Sequence, residues 1–212
     1  MIDMTLGGVY AITPDNPDTQ HLLAMSEAAL RGGVAALQYR DKSRDVALRH
    51  EQASELLALC RRYGVPFIVN DDLRLADLVG ADGVHLGRED GSLREARIIL
   101  GPGKMIGVSC YQDIERATQA QISGADYVAF GSFFPSPTKP QAGRAELSLL
   151  RAASAVISVP IVAIGGITVD NAGALLDAGA DAIAVISALF DAPDVEAAAR
   201  QLNALFEIES ES

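Results

Sequence analysis

Gln38, Arg40 and Lys42 occupy every second position of the segment Leu-Gln-Tyr-Arg-Asp-Lys. On a β-strand such residues share one face, so an amide, a guanidinium and an ammonium point together while Leu37 and Tyr39 point the other way. A cationic face needs water or an anion against it. Two readings compete: an edge strand wearing solvated charges, or a phosphate clamp at the end of a buried strand. Asn70-Asp71-Asp72 closes one apolar run, and Gly87-Arg88-Glu89-Asp90 follows another. Asp71 and Asp90 are candidate ligands for Mg²⁺, which takes one or two carboxylates and fills its shell with water and phosphate oxygen. For Asp72 and Asp90 a helix N-cap serves equally well as an explanation; Asp71, beside Asn70 at a strand end, is harder to explain as a cap. Gly165-Gly166 and Ser187 offer backbone N–H groups of the kind that hold a phosphate dianion ahead of a helix. Between Pro135, Pro137 and Pro140 lie Ser136, Thr138 and Lys139. These are either an exposed loop tip or a stiffened loop that closes over a ligand.

The elements that must position these groups repeat. Gly80-Ala81-Asp82-Gly83-Val84-His85-Leu86 recurs as Gly124-Ala125-Asp126-Tyr127-Val128-Ala129-Phe130 and as Gly179-Ala180-Asp181-Ala182-Ile183-Ala184-Val185, with a looser copy at Gly32-Gly33-Val34-Ala35. Each follows a helical stretch. The glycine ends the helix in the left-handed region, and a short apolar run enters as a buried strand. Further strands read at Val9–Thr13, Pro66–Asp71, Met105–Cys110 and Pro160–Gly166, centring eight strands near residues 11, 37, 68, 85, 107, 129, 163 and 184. The helix after the first strand is expected over Gln20–Arg31, with Leu22, Leu23, Met25, Ala28 and Ala29 inward. Eight strand–helix units in 212 residues fit a single-domain (β/α)8 TIM barrel spanning residues 1–212, with an acidic tail frayed near 207–212. An open doubly wound sheet is the alternative, but the first strand leads into Thr13-Pro14-Asp15-Asn16-Pro17-Asp18, which has no glycine fingerprint. In a barrel the C-terminal strand ends line the site, and a barrel has no edges, so the edge-strand reading of Arg40 and Lys42 falls away.

The net charge of -11 disfavours nucleic acid as a partner, since phosphate backbones need a basic surface. A small phosphorylated ligand is still allowed, because a few cations can be focused in one cleft. Two cysteines, Cys60 and Cys110, make no disulfide framework and suggest reduced thiols in a cytoplasmic protein. No signal peptide or membrane-length apolar run is read. His21, His50 and His85 show no metal spacing; His85 reads as a satisfied interior histidine and Cys110 as structural. Tyr10 and Tyr39 either border a ring-shaped ligand or fill core.

The motifs Gln-Tyr-Arg-Asp-Lys, Val-Asn-Asp, Gly-Val-His-Leu-Gly-Arg-Glu-Asp, Pro-Ser-Pro-Thr-Lys and Ala-Ile-Gly-Gly-Ile, in this order and spacing over residues 7–190, resemble the thiamine-phosphate synthase (thiamine-phosphate pyrophosphorylase) family. The resemblance implies a Mg²⁺-dependent transferase that couples a pyrimidine diphosphate to a thiazole phosphate. It implies that Gln38, Tyr39, Arg40, Asp41, Lys42, Asn70, Ser109 and Lys139 hold the pyrimidine diphosphate, with Arg40, Lys42 and Lys139 acting in catalysis. Ser136, Pro137, Thr138, Gly166, Ile186 and Ser187 would bind the thiazole phosphate, and Asp71 and Asp90 the metal. The family often has Thr at the position of Ser136. A thiazole tautomerase of the same superfamily is also similar, and a non-catalytic binder of these heterocycles is a third reading. A homo-oligomer is compatible with all three.

Overall fold

The computed structural model describes residues 6–135 and 143–209. Its strands are β1 (Gly8–Ile12), β2 (Ala36–Tyr39), β3 (Phe67–Asn70), β4 (Gly83–Leu86), β5 (Met105–Tyr111), β6 (Tyr127–Gly131), β7 (Ile161–Ile164) and β8 (Ala182–Val185). They close in sequence order into a parallel barrel, β8 pairing back to β1. The helices are α1 (Thr19–Arg31), α2 (Val46–Tyr63), α3 (Leu73–Val79), α4 (Leu93–Leu100), α5 (Ile114–Ile122), α6 (Leu147–Ser154), α7 (Val169–Leu176), α8 (Ser187–Phe190) and α9 (Val195–Glu209). The expected (β/α)8 architecture is present. Residues 207–209 belong to α9, and 210–212 lie outside the described residues. No helix among the described residues is long and apolar enough to cross a membrane.

The repeated Gly-Ala-Asp phrase is the structural latch of the barrel floor. Gly80, Gly124 and Gly179 have positive φ, the conformation glycine reaches without a Cβ penalty. The aspartate that follows bonds twice to the preceding strand. Asp82 N donates to Phe67 O, and the Asp82 carboxylate accepts from Phe67 N at 3.0 Å. Asp126 does the same with Ile106, its carboxylate at 2.7 Å, and Asp181 with Ile161, also at 2.7 Å. The looser copy keeps the main-chain bond, Ala35 N to Val9 O at 2.8 Å, without a carboxylate. Aspartates also start helices: Asp18, Asp45, Asp72 and Asp113 accept from the N–H three residues on, each cap worth about 1 kcal/mol.

Two cores result. Helices pack on the outer strand faces through residues such as Leu37, Phe67, Val84, Ile106, Val128 and Ile183. The barrel interior holds Tyr10, Ile12, Ile68, Met105, Tyr127 and small alanines, Ala36, Ala129, Ala182 and Ala184. On α1 the buried residues are Leu22, Ser26, Ala29 and Leu30. Leu23, Met25 and Ala28, expected inward, are half-buried, because the burying face is rotated toward Ser26 and Leu30.

Candidate active site

The C-terminal strand ends gather the polar residues. On β2 the alternation holds for Gln38, whose Nε2 donates to Tyr10 Oη inside the barrel at 2.8 Å, and for Tyr39, whose hydroxyl donates outward to Gln52 Oε1 on α2 at 2.9 Å. The Tyr39 side chain is therefore turned from the barrel interior toward the helices. Arg40, Asp41 and Lys42 lie beyond the strand. The loop after β1 sets their course: Thr13 Oγ1 accepts from Arg40 N at 2.9 Å, and Asp15 Oδ1 accepts from Lys42 N at 2.9 Å. Asp15 also faces the Arg40 guanidinium at 3.4 Å, a long contact for a charged pair. Thr13 and Asp15 were missed as site-building residues; their signal was a hydroxyl and a carboxylate in the loop that lacks a nucleotide fingerprint.

Lys42 Nζ donates to Asp71 Oδ2 at 2.6 Å. Asp71 follows β3 and has φ of 63°, a left-handed conformation that Asp tolerates better than most residues and that recurs at functional turns. Its N–H donates to His85 O at 2.8 Å, which fixes the turn against β4. Asp72 is the N-cap of α3 and also takes Arg49 Nη2 at 2.9 Å, so it is committed to structure. Asp90 is not a cap: Ser92 caps α4, and Asp90 Oδ2 accepts from Gly87 N at 2.8 Å. Asp71 and Asp90 lie within hydrogen-bonding reach of each other. Burial raises the Asp90 carboxyl above the usual range, and the adjacent Asp71 hydrogen bond and charge raise it further. Burial opposes the Asp71 charge, but hydrogen bonds from Lys42 and Asp90 outweigh it and hold Asp71 low. The two carboxylates are thus pushed in opposite directions, and a cation placed between them would serve both charges.

Among the described residues no group of three or more His, Cys, Asp or Glu gathers for a metal. A two-carboxylate set nevertheless fits Mg²⁺, whose remaining ligands come from water and phosphate. Asp41, Lys42, Asn70, Asp71 and Asp90 line one open cavity of about 500 Å³. Arg116 on α5 braces the rim, donating to Ser109 O at 2.8 Å and Gly87 O at 3.2 Å. Across the mouth, Gly165 and Gly166 have φ of 107° and 63°. A Cβ on Gly166 would lie 2.2 Å from Pro135 O, so only glycine lets this turn meet the β6 loop. Ile186 precedes α8, and Ser187 is its first residue. Ser136, Pro137, Thr138 and Lys139 lie outside the described residues.

Residues 9–189 match the family model described as thiamine monophosphate synthase. The chain belongs to this family. A thiamine-phosphate synthase of Thiobacillus denitrificans is 70% identical over 205 residues, covering 97% of both chains. One from Aromatoleum aromaticum is 56% identical, covering 98% of this chain and 100% of the relative. Among solved structures, thiamine phosphate pyrophosphorylase from Pyrococcus furiosus superposes with a TM-score of 0.85 at 38% identity, covering 95% of this chain and 96% of that one. A 3-hexulose-6-phosphate synthase at 19% identity and TM-score 0.68 shares the fold alone. Family membership makes the chain a transferase of thiamine biosynthesis.

Proposed function

We propose that the chain, working as one cytoplasmic domain, joins 4-amino-2-methyl-5-hydroxymethylpyrimidine diphosphate to 4-methyl-5-(2-phosphooxyethyl)thiazole, releasing thiamine phosphate and diphosphate, with Mg²⁺ bound by Asp71 and Asp90. The observation that carries this reading is the Lys42–Asp71 contact of 2.6 Å beside Asp90 in one cavity. It joins a cation and a carboxylate pair, the means to hold a diphosphate together with its metal.

The chemistry requires the pyrimidine CH₂–O bond to break. Both electrons leave with diphosphate, and the ring stabilises the methylene cation that remains. The thiazole nitrogen then donates its lone pair to that carbon, so no general base is needed. Bound Mg²⁺ would supply positive charge to the departing phosphates. Arg40 and Lys42, with Lys139 from the β6 loop, would stabilise the same growing charge. Gln38, Asn70 and Ser109 would orient the pyrimidine, with Tyr39 and Asp41 in the same binding segment. Ser136, Pro137, Thr138, Gly166, Ile186 and Ser187 would hold the thiazole phosphate. Separate anchoring keeps the two reactants in line.

A tautomerase would need a proton-transfer group near β4–β6. Of the residues Ser109, Cys110 and Tyr111 there, Cys110 is unsuited, because it is buried, donates to Val108 O, and burial pushes its thiol up to about 12. The deciding experiment supplies both heterocycles with Mg²⁺ and identifies products by mass. Thiamine phosphate is expected only with both substrates. Isomerisation of thiazole phosphate alone, without coupling, would transfer the assignment to the tautomerase.

A further inference from the structure

In the barrel interior a hydrogen-bonded chain joins Gln38 and Ser109 through Tyr10, Tyr127 and His85, three side chains to which the proposed reaction gives no role. Gln38 Nε2 reaches Tyr10 Oη at 2.8 Å, Tyr10 Oη reaches Tyr127 Oη at 2.8 Å, Tyr127 Oη reaches His85 Nδ1 at 3.0 Å, and His85 Nε2 reaches Ser109 Oγ at 2.8 Å. Gln38, Tyr10, Tyr127 and His85 are 2%, 1%, 0% and 8% exposed. The rings are held in place: Tyr10 meets Tyr127 edge-on at 5.8 Å, and His85 stacks on Tyr127 at 5.6 Å. Gly107 makes room for Tyr127, since a Cβ there would lie 1.9 Å from Cζ.

We propose that these five side chains form one polarity-coupled relay, which makes Gln38 an acceptor and Ser109 a donor at the barrel mouth. Burial supplies the reason, because a donor left unpaired there loses its water without gaining a partner. With the Gln38 amide nitrogen donating to Tyr10, the Tyr10 proton has Tyr127 as its acceptor. Tyr127 then donates to His85 Nδ1, which is unprotonated. His85 Nε2–H donates to Ser109 Oγ, and the Ser109 proton is left for a ligand. Gln38 Oε1 is left to accept from one. The opposite direction requires the Gln38 amide to flip, Tyr10 to donate to it, and every later bond to reverse, with His85 protonated on Nδ1 instead. Within these four bonds a partial reversal sets proton against proton or lone pair against lone pair at one link. The two ends of the relay therefore change together or not at all.

This rests on the proposed function and deepens it. A 4-aminopyrimidine edge carries an N–H donor beside acceptor nitrogens, so it suits an acceptor at Gln38 and a donor at Ser109. An edge with a carbonyl in place of the amine would demand the reversed relay. Tyr10, Tyr127 and His85 are on this account positioning residues, acting on the ligand through Gln38 and Ser109.

The test reads the His85 tautomer by ¹⁵N NMR of the labelled, ligand-free protein at mildly alkaline pH, above the range in which a free imidazole titrates. The wild type should show the Nε2–H tautomer; an Nδ1–H form or an imidazolium would overturn the proposal. Gln38→Glu puts an acceptor-only group at the far end and should switch His85 to Nδ1–H across two intervening tyrosines. An unchanged tautomer in that variant would also overturn it. If Gln38→Glu does not fold, Ser109→Ala carries the test, because removing the acceptor of Nε2–H should flip the Gln38 amide across the barrel. The Gln38 side-chain amide protons would then lose their NOE to the Tyr10 ring, and a retained NOE counts against the relay. These readouts need no substrate. A failed coupling assay would leave the relay standing, whereas an active synthase with an Nδ1–H His85 would refute the relay alone.

Discussion

Asp181→Ala removes the latch between β7 and β8. The carboxylate accepts from Ile161 N at 2.7 Å, and Ile161 is 2% exposed. A hydrogen bond to a charged group contributes about 1.5–3 kcal/mol. Asp181 itself is exposed, and solvent screening places the loss near the lower bound, about 1.5 kcal/mol. The main-chain bond from Asp181 N to Ile161 O survives the substitution. For a chain of this size 1 kcal/mol corresponds to about 2–4 °C in Tm, so Tm should fall by about 3–6 °C. Asp181→Asn keeps an oxygen that can accept from Ile161 N and should lose less. Asp126→Ala should lose more, because Asp126 also pairs with Arg97 Nη2 at 2.6 Å. The assay is thermal and urea denaturation of the three variants, with turnover measured well below Tm. The latch lies at the strand N-termini, opposite the cavity, so turnover should be retained. A Tm unchanged in Asp181→Ala, or an Asn variant as unstable as the Ala variant, would refute the reasoning.

Gly107→Ala should displace the Tyr127 ring, costing about 1–3 kcal/mol of overpacking, and should raise KM for the pyrimidine substrate while sparing thiazole-phosphate affinity; denaturation and steady-state kinetics check both. Because Asp90 is held above and Asp71 below the usual carboxylate range, a falling pH should protonate Asp90 first and raise the Mg²⁺ concentration needed for half-maximal turnover. Asp90→Asn should need more Mg²⁺ at every pH and lose most of that pH dependence, read from Mg²⁺ titrations at several pH values. The Cys110 thiol is raised by burial from 9.0 to about 12, so the folded chain keeps a proton that the unfolded chain releases. This contribution to stability is complete below pH 9 and is lost as pH rises toward 12. Urea titrations should show a shallower alkaline decline in Cys110→Ala.

The barrel was legible because its repeat is chemical as well as periodic. A glycine that leaves a helix and the apolar run behind it mark the start of β4, β6 and β8 in the sequence itself; the grip of the intervening aspartate on the preceding strand is visible only in the fold. The polar strand ends were legible for the same reason, since alternation turns Gln38 inward and Tyr39 outward. What escaped was partnership at long range. Asp15 reads as one of several loop aspartates until β1 and β2 pair and bring it to Lys42. Tyr10, His85 and Tyr127 read as separate interior residues, because closure of the barrel joins side chains as far as 117 positions apart. Asp72 and Asp90 were indistinguishable as caps until the folded chain showed Asp72 capping α3 and Ser92, not Asp90, capping α4.

The central claim is that this mouth couples two phosphorylated heterocycles by expelling diphosphate with the help of a divalent cation. Its most direct test follows diphosphate and thiamine phosphate together in one reaction containing both substrates, with Mg²⁺ present and then chelated. The account predicts equal amounts of the two products with Mg²⁺ and nearly none after chelation. Diphosphate release without thiamine phosphate, or undiminished coupling after chelation, would contradict it.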